Sequence, residues 1–152
     1  MHVVTDAFYR FFSHPIVPIR PEARDQNTAA IRAIAAASAA FAASGCAVFV
    51  DGVIGPWFLP TFLAEVAPSG VRVDYVVLRA PLAETLARAM ARAEARADDD
   101  VIVRHMHSAF ADLGAFEAHA VDTGAQPLAA TRELVERCRA RGDFSLSAFR
   151  EG

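Results

Sequence analysis

Residues 47–53 read Ala-Val-Phe-Val-Asp-Gly-Val, an apolar run closed by an acid and a glycine. A run this apolar, with so little alternation, predicts a parallel strand buried on both faces. In open parallel sheets, ligands gather outside the carboxyl ends of the strands. Asp51 stands at such an end, although an acid there also serves simply to cap the following turn. Outward from this stretch lie three more β-branched runs, His2–Asp6, Val71–Arg79 and Ala120–Thr123. Each leads into a helical pattern, directly or through a turn. Strands alternating with helices predict an α/β fold with a parallel sheet and helices on both of its faces.

The connections carry their own signals. Pro15, Pro18 and Pro21 predict an irregular loop, and a helix is expected from about Pro21–Arg24 to Ser44, with Gly45 as its stop. GPWFLPTFLAEVAPSG (55–70) predicts a short helix started or interrupted by Pro60. Pro81 opens a helix through about Ala97, with Leu82, Leu86, Ala89, Met90 and Ala93 as its core face. Asp98-Asp99-Asp100 reads as a loop, with Asp100 as N-cap of a helix over Val101–Asp112. Gln126-Pro127 starts a last helix that ends at Gly142, and the tail DFSLSAFREG reads as loosely docked.

The 152 residues suit one domain. No stretch of about 18 uncharged apolar residues exists, so no membrane span is expected. No basic segment followed by an apolar one opens the sequence, which argues against a secretory signal. Cys46 and Cys138 are too few for a disulfide framework, and both are expected as small core residues in a cytoplasmic protein. A net charge of −3 excludes the basic footprint of a nucleic-acid binder. All 15 cations are arginine and none is lysine; with 33 alanines, coding bias is one explanation, but the absence has a chemical consequence.

Residues 47–51 have the form of a Walker B strand, in which the acid helps to hold Mg²⁺ directly or through water. Asp6 is placed to accept the proton of a substrate hydroxyl, or to cap a helix beginning at Ala7; both roles can coexist. Arg88, Arg92 and Arg96 recur every four residues and line one helix face. They form either a solvated face, with Glu84 pairing to Arg88, or an arginine set that neutralises transferring phosphates. His105 and His107 point to different sides of a helix and read as surface or packing residues. Trp57, Phe58 and Phe62 read as packing of the short helix onto the sheet, with a substrate pocket as the alternative.

In order and spacing, HVVTDAFYRFF, VFVDGVIGPWF, VDYVVLRAPLAETLARAMARAEAR and AVDTGAQPLAATRELV resemble the small P-loop kinases of the chloramphenicol phosphotransferase-like group, more distant kin of zeta-toxin and gluconate kinase-like enzymes. The resemblance runs over nearly the whole chain and implies a three-layer P-loop NTPase-like parallel sheet. It also implies ATP and Mg²⁺ as cofactors and transfer of the γ-phosphate to a hydroxyl of a small molecule. Carried across residue by residue, it makes Asp6 the base for the acceptor hydroxyl and puts Asp51 beside Mg²⁺. Arg88, Arg92 and Arg96 fall in a lid over about 88–104, and Asp122, Thr123 and Gly124 near the adenine. Arg10, with Tyr9 and Trp57, would face the acceptor.

The family's first strand and its GxxxxGK[ST] loop have no counterpart here, and with no lysine the phosphate-binding Lys cannot come from elsewhere. The expected sheet is therefore incomplete, in the order 2-3-[1 missing]-4-5, and the domain is read as N-terminally truncated. Ala47–Val53 and Val71–Arg79 would then flank a gap, or close it by pairing with each other. Open ladder edges imply self-association or a partner that covers them. The expected function is thus that of an ATP-dependent phosphotransferase inactive as this chain alone. The alternatives are a non-catalytic interaction module derived from such a kinase, and complementation by a second chain that supplies the loop.

Overall fold

The structure, a computed structural model, describes residues 1–92 and 99–146. Two compact units divide the chain, residues 1–71 and residues 72–152. The architecture is α/β, with two small sheets, each of two parallel strands.

In the first unit, β1 (His2–Val4) runs into α1 (Thr5–Tyr9). A 3₁₀ turn at Pro21–Ala23 leads into α2 (Arg24–Ala43), followed by β2 (Phe49–Asp51). A 3₁₀ turn at Pro56–Phe58 then feeds α3 (Leu59–Val66). The alanines of α2 favour helix at little entropic cost. Its buried residues, Asn27, Ala30, Ile31, Ile34, Ala35 and Ser38, form one stripe at helical spacing. That stripe packs on α3, which buries Leu59, Phe62 and Val66. The expected end at Ser44 holds, with Gly45 in the left-handed region. The proline-rich loop is strapped to the start of α2. The Gln26 amide donates to Ile16 O and accepts from Ile16 N–H, both at 2.8 Å, and Asn27 Nδ2 donates to Pro18 O at 2.8 Å.

The second unit holds β3 (Val77–Arg79), α4 (Leu82–Met90), α5 (Asp99–Ala109), a 3₁₀ helix at Gly114–His119, β4 (Ala120–Asp122) and α6 (Leu128–Arg141). Gly142 closes α6 in the left-handed region, as expected. β1 pairs with β2, with Val4 opposite Asp51, and β3 pairs with β4, with Arg79 opposite Asp122. Among the described residues, no ladder joins β2 to β3.

Several expectations are corrected. The strands are shorter than the apolar runs, because only three residues of each find a ladder partner. They are not buried on both faces either: Val77 is buried, whereas Phe49 is 69% and Leu78 59% exposed. α1 starts at Thr5, so Asp6 lies inside its first turn and is not its N-cap. Asp100 likewise lies inside α5, where its carboxylate accepts twice from Arg104 Nε, at 3.1 and 3.0 Å. α4 ends at Met90, which is exposed, and only Ala89 of its expected core face is fully buried; Ala93 and Ala97 lie outside the described residues. Cys46 is exposed and Cys138 half-buried, neither of them a core residue. Cys46 precedes β2, as expected.

The tail is also corrected, because residues 143–146 are docked. Tyr75 N–H donates to Phe144 O and Leu146 N–H to Val73 O, both at 2.9 Å, around an antiparallel bridge between Asp74 and Ser145. Phe144 and Leu146 are 2% and 4% exposed. Phe144 closes an aromatic cluster with His119, Tyr75 and Phe116, whose ring centroids are 5.8 to 6.3 Å apart. Burial pushes the Tyr75 phenol up to about 12.

At the end of β3, Arg79 Nη2 donates to Glu117 at 2.5 Å, and Glu117 also accepts from Leu113 N–H at 3.1 Å. The Arg79 hydrogen bond, followed by that of Leu113, holds the Glu117 carboxyl below its usual 4.5. A carboxylate with a lowered folded-state pKa contributes stability above its unfolded value and loses it as pH falls through the folded one. Glu117→Gln is therefore expected to make the thermal midpoint less sensitive to acid, measured by unfolding scans between about pH 6 and about pH 3. An unchanged acid slope would mean that the pair contributes nothing to folding.

Candidate functional site

Two groups of the singled-out residues come together, one in each unit. In the first, parallel pairing brings the carboxyl ends of β1 and β2 to one edge, so Asp6 and Asp51 follow neighbouring strands on the same side. Gly52 backs this edge. A Cβ built on it would lie 1.7 Å from Thr5 Oγ1, and Thr5 is buried. The close approach needs a glycine, whose φ here is +142°.

Both acids are exposed. Asp51 accepts from His2 Nε2–H at 3.3 Å, and Asp6 Oδ1 lies 3.5 Å from the Thr5 hydroxyl that donates to it. The Tyr9 phenol is raised above its usual 10, first by burial and then by the Asp6 charge, so it stays a protonated donor near that carboxylate. Arg10 is exposed at the end of α1. Trp57 is exposed on the turn before α3, with its indole against Gly55, where a Cβ would lie 2.3 Å from Cζ2. Phe62 is buried under α3 as expected.

Mg²⁺ keeps several waters and takes one or two carboxylates plus substrate phosphates. Among the described residues, no group of three His, Cys, Asp or Glu side chains is gathered as a metal cage. A Mg²⁺ ion at this edge would rest on Asp51, water and nucleotide oxygens.

In the second unit, an open cavity of about 490 Å³ is lined by Leu78, Ala80, Thr85, Arg88, Arg92, Thr123, Gln126, Leu128 and Thr131. Its size is that of a small-molecule site. Arg88 is held across it: Nη2 donates to Thr123 O at 3.1 Å and to the Glu84 carboxylate, and Nη1 to Thr123 Oγ1 at 3.4 Å. Glu84 also accepts from Ala125 N–H at 3.3 Å, so it braces α4 to the loop after β4. In that loop Thr123 gives both its N–H and its hydroxyl to Arg79 O, at 2.6 and 3.0 Å. Asp122 Oδ1 accepts from Gly124 N–H at 2.8 Å, a turn bond that explains this acid without a ligand.

Arg92 lies beyond the last residue of α4, so the four-residue ladder does not continue as helix. It still lines the same cavity as Arg88. Arg96 lies outside the described residues. His107 Nε2–H donates to Ala80 O at 3.1 Å, the packing role expected of it.

Sequence reading missed Thr5, Gly52, Thr85 and Thr131. A glycine directly after the acid of a strand was a signal for Gly52. The three threonines carried none, because only the fold brings them to these sites. No protein-family model matches the chain, and no curated protein matches it.

Proposed function

We propose that the chain belongs to an ATP-dependent phosphotransferase acting on a hydroxyl of a small molecule. The single observation that carries this reading is the strand pairing. β1 with β2, and β3 with β4, are the neighbours expected of a P-loop kinase sheet whose central strand is missing. The two acids at one strand edge and the two arginines at one cavity add to it. In this reading Asp6 takes the proton of the acceptor hydroxyl, beside the protonated Tyr9. Arg88 and Arg92, at the cavity of the second unit, are side chains suited to anionic oxygens. Asp51 would help to hold the Mg²⁺ of a bound nucleotide, which would supply charge neutralisation at its phosphates.

These 152 residues hold no GxxxxGK[ST] and no lysine, so no backbone nest or ammonium grips the β- and γ-phosphates. Purified as it stands, the chain is expected to turn over ATP at background rate. Fusing a β-α unit of about 25–35 residues that carries GxxxxGK[ST] ahead of Met1 is expected to create turnover. Asp6→Asn in that fusion is expected to remove about 100-fold of it. Fused protein that neither binds nor turns over ATP overturns the reading.

One observation favours a second reading, a non-catalytic interaction module. Phe49 and Leu78 stand exposed on strands of a kind that helices or further protein normally cover. A fusion without ATP binding, in a protein that self-associates, supports this reading.

A further inference from the structure

We propose that one face of the β1–β2 ladder docks a second copy of this chain, and that His2, Val4, Phe49 and Asp51 make the contact self-complementary. The parallel register sets this face. His2 stands beside Phe49 and Val4 beside Asp51, while Val3 and Val50, between them, belong to the opposite face. Burial follows the alternation: Val3 is buried, Val4 is 43% exposed and Phe49 more than half exposed. The side chains of His2 and Asp51 are more than half exposed as well.

The four side chains form a square of alternating character. Neighbours on such a face lie about 6.6 Å apart along a strand and about 4.8 Å apart across the ladder. One diagonal holds the apolar pair, Val4 and Phe49. The other holds His2 and Asp51, whose Nε2 and Oδ2 are 3.3 Å apart. A helix that covers a parallel strand normally meets an apolar surface, and half of this one is polar. A second copy matches it better.

In a two-fold dimer the same patch faces itself across an axis that lies in the interface. With the axis along the apolar diagonal, Phe49 meets the partner's Phe49 and Val4 the partner's Val4. The same rotation brings His2 opposite the partner's Asp51, and Asp51 opposite the partner's His2. The contact then has an apolar centre and a rim of two imidazoles and two carboxylates, the usual anatomy of a protein interface. With the axis along the other diagonal, each carboxylate would face its own copy. Charge therefore selects the first arrangement. Four side chains from each copy make a small contact, so the dimer is expected to be weak, in the micromolar range. The interaction-module reading, on which this docking rests, gains from it a surface and a partner.

The test is sedimentation equilibrium of the 152-residue chain over a concentration series that reaches the micromolar range. Wild type is expected to show a monomer–dimer equilibrium. Phe49→Asp sets a carboxylate against its own copy on the axis and is expected to weaken association at least about tenfold. His2→Asp puts four carboxylates on the rim and is expected to weaken it about tenfold. Asp51→His removes every carboxylate from the rim and is also expected to weaken it. Mixed in equal amounts, the His2→Asp and Asp51→His chains are expected to form a heterodimer within about threefold of wild-type affinity, because unlike groups face each other again. Pairing through ladder edges uses backbone groups and would respond to none of these exchanges. Circular dichroism reports whether each variant still folds; should Phe49→Asp misfold, the mixed pair decides alone. A monomeric wild type overturns the proposal. So does undiminished association of a folded Phe49→Asp, or a mixed pair that associates no better than its two components. Self-association through another surface would sink this docking face and leave the interaction-module reading standing. None of these readouts involves a nucleotide, so the phosphotransferase reading stands or falls separately.

Discussion

Phe144→Ala is expected to destabilise the second unit by about 3–5 kcal/mol, read as a drop in the urea midpoint. The ring is almost fully buried and packs on His119, which is itself buried and donates through Nδ1–H to Tyr75 O at 2.9 Å. Truncation leaves a hole that this cluster can fill only by giving up its own contacts. It also loosens the tail, since Phe144 O accepts the Tyr75 N–H and, two residues on, Leu146 N–H returns to Val73 O. Phe144→Leu keeps most of the volume and is expected to cost clearly less. Hydrogen exchange at Tyr75 and Leu146 amides should accelerate in Phe144→Ala beyond the rate elsewhere in the unit. A cost below about 1 kcal/mol would mean that the tail is not part of the core.

Gly52→Ala is expected to cost the first unit roughly 3 kcal/mol or more. The added methyl would meet Thr5 Oγ1 at 1.7 Å and Thr5 Cβ at 2.8 Å, on a backbone whose φ of +142° L side chains rarely adopt. Thr5 is buried and opens α1, so it cannot swing away without moving β1 or the helix. Thr5→Ala removes the nearest contact. The double variant should therefore cost less than the sum of the singles, a coupling that a double-mutant cycle measures. Additive losses would place the strain in the Gly52 backbone alone. Because Gly52 follows Asp51 and Thr5 precedes Asp6, the substitution should also disturb the carboxylate edge, and any turnover gained by the Walker-loop fusion should fall with it.

Where the sequence was legible, local chemistry was the reason. α2 and α6 could be drawn nearly to the residue because alanine-rich periodicity, flanking prolines and the closing Gly45 and Gly142 act within one turn of chain. The strands were legible as apolar runs but not in length. A ladder needs a partner far away in sequence, as with Val4 opposite Asp51. The Asp6 cap failed for a related reason: helix started two residues early, at Thr5, once β1 had found its pairing. Of the residues gathered at the β1–β2 edge and at the cavity, the acids and arginines could be named from type and spacing. Thr131 could not, since nothing in TRELVER marks a residue that lines a cavity.

What the sequence alone determined was the alternation of strands and helices, the acids at two strand ends, the arginine spacing and the absence of lysine and of a GxxxxGK[ST] loop. Periodicity, capping and composition are properties of neighbours along the chain. Only the tertiary structure decided which strands pair and which strand faces stay open. It also decided that Glu84 holds Arg88 on Thr123, that the tail completes an aromatic core, and that Thr131 lines a cavity. Those outcomes depend on contacts between residues tens of positions apart. Their cost in chain entropy is offset only when the whole unit closes.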